Sequence, residues 1–334
     1  MHRIVSCVIL FLACVGCKRT TEGTRQQFEV RTDTVEIPKR VKAVAYDNGN
    51  FICLTDSGVI VLDSLLNKNL KSESSFDGIK PFWLFNVHDT AWLITKSELY
   101  QLLQDTIRQV TRFEYLTQIR VDVLKHRYPL WQDYEFFVYG GCEGEWGGSV
   151  FFRDNRTRKI YSMPASCPLQ VIPQSIGYLV CAYSNADISN FITIRDPTSL
   201  VELSDSFRYY SNWWSEDERF KDTLYLQSLS GVSRRRRMNS MNSHNSLMLS
   251  FMRNDSLFSV YSHANALTIA YHNTDSLRTL DTLLHTKDVY YADRTFQQGE
   301  TVGALCENRE GNDVIVTATD GNIRLIKLKI KKPL

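Results

Sequence analysis

The feature that most constrains this chain is a recurrence of short β-type runs in groups of four, each run bounded by Asn, Asp, Gly or Ser, with helical periodicity scarce. One group comprises residues 41–46, 51–55, 59–62 and 70–74, and a second 82–85, 90–95, 99–103 and 107–112. A third has 121–124, 134–139, 149–153 and 159–163, and a fourth 169–172, 178–183, 191–195 and 200–203. A fifth follows at 247–251, 257–261, 267–271 and 277–280. The last group shows 302–306, 314–317 and 323–329, while 28–37 stands alone as an orphan strand at the start.

Four-stranded sheets repeating every ~40–50 residues are the pattern of a β-propeller. Similar turns occupy the first and last groups, Thr55-Asp56-Ser57-Gly58-Val59 and Thr319-Asp320-Gly321-Asn322-Ile323. If the orphan strand completes the last group, the ring closes and its exposed edges disappear. The expected fold is therefore all-β: a propeller of six four-stranded blades filling residues 28–334, with an insertion at 205–246 between blades four and five. Within that insertion, Ser215-Glu216-Asp217-Glu218 reads as a capping box before Phe220 and Leu224, with Gly231 as a stop. The alternative is a seventh blade, with Asp222-Thr223-Leu224-Tyr225-Leu226 as one of its strands.

The N-terminus carries Arg3, an apolar run from Ile4 to Val15, then Gly16 and Cys17. That run is too short to span a bilayer comfortably and reads as an export signal over residues 1–16, followed by a polar tether over 17–27. Cys14-Val15-Gly16-Cys17 resembles the lipobox of bacterial lipoproteins. The resemblance implies lipid on Cys17 and a membrane partner through that anchor. With Lys18 rather than Asp next in line, it implies an outer-membrane address on the periplasmic face. Lipobox and blade-like hairpins together resemble the six-bladed propeller lipoproteins of bacterial envelopes, without the Trp-Asp dipeptide of some propellers.

The chain holds 39 Lys and Arg against 37 Asp and Glu, a balance that argues against bulk nucleic-acid binding. Beyond Cys17, no Cys-x-x-Cys, His-Glu-x-x-His, Gly-x-Ser-x-Gly or phosphate-loop pattern occurs, so no cofactor, metal ligand or catalytic residue is assigned. Of eight cysteines, Cys7 and Cys14 leave with the signal and Cys17 takes lipid. Among Cys53, Cys142, Cys167, Cys181 and Cys306, the pair Cys142 and Cys167 is the disulfide candidate, flanking one strand-rich segment.

Three segments are binding candidates. The glycine-rich hairpin 140–148 carries Glu143, Glu145 and Trp146, residue types that bind sugars or cleave glycosides; close backbone packing is its structural reading. Arg234, Arg235, Arg236 and Arg237 read as an exposed loop able to clamp phosphates or carboxylates. Trp213 and Trp214 just before them are residue types common at interface hot spots. The expected function is a binding or scaffold module in the envelope, with a protein or glycan partner and no catalysis. The alternative is a glycosidase or polysaccharide lyase on a propeller.

Overall fold

The computed structural model describes residues 28–87, 89–95, 98–103, 106–110, 127–142, 148–165, 167–184, 188–203, 232–239, 246–263, 266–272, 277–286, 290–308, 311 and 313–331. After β1 (Glu29–Ile37), the first blade runs β2 (Val41–Asp47), β3 (Asn50–Thr55) and β4 (Gly58–Leu62). Blade two is β5 (Trp83–Val87), β6 (Thr90–Ile94), β7 (Leu99–Leu103) and β8 (Thr106–Val110). Blade three is β9 (Arg127–Gln132), β10 (Phe136–Cys142), β11 (Gly148–Asp154) and β12 (Ile160–Pro164). In blade four, β13 (Cys167–Pro173), β14 (Tyr178–Ser184) and β15 (Ile188–Ile194) come first. The chain then passes through β16 (Val201–Leu203) and returns as β17 (Val232–Asn239) to complete that sheet. Blade five is β18 (Ser246–Arg253), β19 (Ser256–His263), β20 (Ala266–His272) and β21 (Leu277–His285). Blade six is β22 (Tyr291–Gln298), β23 (Thr301–Glu307), β24 (Val314–Thr319) and β25 (Asn322–Ile330).

The first strands of successive blades touch in sequence, β2 to β5, β9, β13, β18, β22 and back to β2, so the six sheets form a ring. Burial follows from that geometry. Each blade is covered on both faces, and middle strands such as β3, β10 and β24 are therefore buried along nearly their whole length. Ile52, Leu54 and Val61 pack with Leu84, Ala91 and Leu93 between blades one and two. Val138, Val150 and Phe152 meet Val171 and Val180 between blades three and four, while Phe296, Leu305 and Ile326 meet Val41, Phe51 and Leu62 where the ring closes.

Several local expectations are corrected. Residues 70–74 form a helix, α1 (Leu70–Ser74), rather than a fourth strand, because the Asn69 side chain accepts from the Ser72 N–H at 3.2 Å and caps it. Blade six already has four strands of its own: β22 was hidden by its polar residues, and β1 adds as a fifth, parallel to β25. The inner strand of blade three is β9, and the expected run 121–124 lies outside the described residues. Pro197 opens a 3-10 turn (Pro197–Ser199) that redirects the chain, so β16 pairs with β12 at the edge of blade three instead of completing blade four.

That last position is taken by β17, which contains the four arginines. Their backbone is a sheet edge and not a loop, with Arg234 opposite Thr193, Arg235 opposite Ile192, Arg236 opposite Phe191 and Arg237 opposite Asn190. The inserted stretch therefore ends before Val232 and lies within blade four, between its third and fourth strands, rather than between blades four and five.

Candidate functional site

The inner strands of a propeller converge on its axis, and here one of them is irregular. Opposite β23, the register of β22 shifts between Ala292 and Thr295, a β-bulge that sets Asp293 and Arg294 against a single partner position. A bulge re-aims the side chains it carries. The Arg294 guanidinium lies over the Trp83 ring at 4.3 Å from its centroid and 5.4 Å from that of Tyr128, so residues from blades two, three and six meet. Stacking of this kind holds a planar cation in place.

These three side chains line a cavity of 210 Å³, walled elsewhere by Phe85, Leu130 and Leu169. Neighbouring bonds fix the walls: Tyr128 Oη donates to Pro168 O at 2.7 Å, and Thr295 Oγ1 donates to Leu169 O at 3.1 Å, tying blade six to blade four. Trp83 is 5% exposed, and its Nε1 has no hydrogen-bond partner among the described residues. Lys42 and Glu307 also line the cavity, Lys42 paired with Asp56, and Glu307 facing Arg40 at 3.7 Å. The arrangement is a mainly apolar, aromatic-walled pocket whose lining carries the cations Arg294 and Lys42, the carboxylate Glu307 and the Trp83 N–H.

The sequence-derived candidates fall elsewhere. Glu143, Glu145, Trp146, Trp213, Trp214 and Cys17 lie outside the described residues. The described part of the glycine-rich hairpin is paired strand: Gly140 has no room for a side chain, since a Cβ there would sit 2.9 Å from Pro168 Cγ and 3.1 Å from Tyr128 Cε2. Cys142 and Cys167 are joined by a disulfide that links blade three to blade four. Trp83 reads as a core residue in the sequence and is one, but it is also the floor under Arg294. Arg294 itself was not singled out. The signal for it was the polar pair Asp293-Arg294 breaking a strand that resumes at Thr295 and Phe296.

No protein-family model and no curated protein matches this chain. Among solved structures it is similar to the computationally designed Ika8 protein, at 9% identity over 89% of this chain and 99% of that one, with a TM-score of 0.36. It is also similar to the β-propeller domain of the Trilobed protease from Pyrococcus furiosus, at 7% identity over 86% and 98% of the two chains, with a TM-score of 0.35. A third likeness is to PorZ, a surface component of the type-IX secretion system of Porphyromonas gingivalis, at 9% identity over 90% of this chain and 39% of that one, with a TM-score of 0.36. At such identities and scores the likenesses carry no argument about activity.

Proposed function

We propose that the protein is an envelope binding module whose axial cavity receives a small carboxylate. The observation that carries this reading is the bulge in β22 that sets the Arg294 guanidinium over Trp83 in a mainly apolar pocket. A guanidinium favours a carboxylate by charge, and hydrogen bonds between charged partners are stronger than neutral ones. The apolar wall favours an aryl or alkyl group on the acid. The lipobox-like order at Cys17 supports the companion part of the proposal: the domain is held at a membrane by a lipid on Cys17 and the tether that follows it.

A thermal-shift panel of small acids, each run beside its amide, tests the binding reading. Acids such as benzoate are expected to raise the melting temperature where benzamide does not. Equal shifts from acid and amide, or none from either, would reject it.

A further inference from the structure

A second cavity, of 380 Å³, lies at the C-terminal ends of β13, β18 and β22, where blades four, five and six meet. One of its lining residues is a buried amide. Gln170 is 3% exposed; its Oε1 accepts from the Ser250 N–H at 2.9 Å, which fixes the flip of the carboxamide, and its Nε2 has no hydrogen-bond partner among the described residues. A buried donor in that state calls for a partner from outside the protein framework.

The same cavity carries Gln297, Glu300, Asp320 and Arg253 around Phe251, which is 8% exposed. Arg253 is positioned from two sides. Its guanidinium lies over the Phe28 ring at 5.1 Å from the centroid, and it occupies the space above Gly321, where a Cβ would come within 2.5 Å of its Cζ.

Planar amide, carboxylate and guanidinium groups of both hydrogen-bonding senses, set beside an apolar surface, match a ligand whose groups both donate and accept. Hydroxyls do both, and a pyranose ring offers a rim of hydroxyls and a face of C–H groups. One cation against two carboxylates gives no strong preference for an anion. We infer that this cavity binds a neutral monosaccharide unit, through Gln170, Glu300, Asp320 and Arg253, at a site separate from the axial cavity.

Saturation-transfer NMR of the intact chain with glucose, galactose, mannose and N-acetylglucosamine, each at ~10 mM, reads the binding directly. At least one sugar should give transfer to its ring protons. The double variant Glu300→Gln and Asp320→Asn, both at exposed positions, should weaken it about tenfold without lowering the melting temperature. Gln170→Met should weaken it as well, and Arg294→Met should leave it unchanged. Silence from all four sugars, a signal that survives the double variant, or one lost in Arg294→Met would overturn the inference.

Discussion

Arg40 reaches from the turn before β2 to Asp313 beside β24, its Nε donating to Oδ2 at 3.0 Å and its Nη2 to Oδ1 at 3.2 Å. The two residues are 273 positions apart and meet where the ring closes. The Asp313 side chain is 3% exposed, so the forked contact neutralises a carboxylate that water scarcely reaches. Arg40→Ala is expected to cost about 1–3 kcal/mol, because it leaves that carboxylate without its cation. The urea midpoint checks this. Lys159→Ala, which breaks the exposed pair with Glu202, should move the midpoint little.

The strap β1 should loosen in acid. Burial raises the Asp33 carboxyl, but hydrogen bonds from Arg324 and Arg31 outweigh it and hold the group below its ordinary value of 3.8. A folded-state pKa below the unfolded one stabilises the fold fully above the unfolded value, and the contribution is lost as pH falls through the folded one. The contact concerned is Arg324 Nε to Asp33 Oδ2 at 2.6 Å, joining β25 to β1. Protection of the amides in residues 29–37, taken relative to their intrinsic exchange rate at each pH, should therefore fall as the pH drops below the ordinary carboxyl value of 3.8, and Asp33→Asn should flatten that dependence.

The thiols offer a separate check. Burial pushes Cys53 and Cys181 up to about 12, and Cys306 in the same direction, so little thiolate forms near neutrality. Iodoacetamide at about pH 8 should leave all three unmodified in the folded protein and alkylate them once urea is added. Non-reducing peptide mapping should recover Cys142 linked to Cys167. Reducing that bond, which spans 25 residues, should lower stability by about 2–4 kcal/mol.

Blade repetition was legible because runs such as 51–55 and 314–317 are buried on both faces and bounded by turn residues, whatever tertiary partner they meet. What escaped was set by distant contacts. The run at 200–203 looks like its neighbours, and only the turn at Pro197 decides that it joins blade three. The four arginines carry no apolar alternation, so nothing local marks them as the strand that β15 pairs with. The axial site was hidden for the same reason. Trp83 and Arg294 are far apart in the chain, and the bulge that brings them together is defined by the register between β22 and β23.

Calorimetric titration of benzoate into the wild type and into Arg294→Met tests whether the axial cavity binds a carboxylate through Arg294. Saturable binding to the wild type is expected, weakened about tenfold or more in Arg294→Met at a temperature where both proteins are fully folded. Equal affinity in the two proteins, or no binding to the wild type, would contradict it.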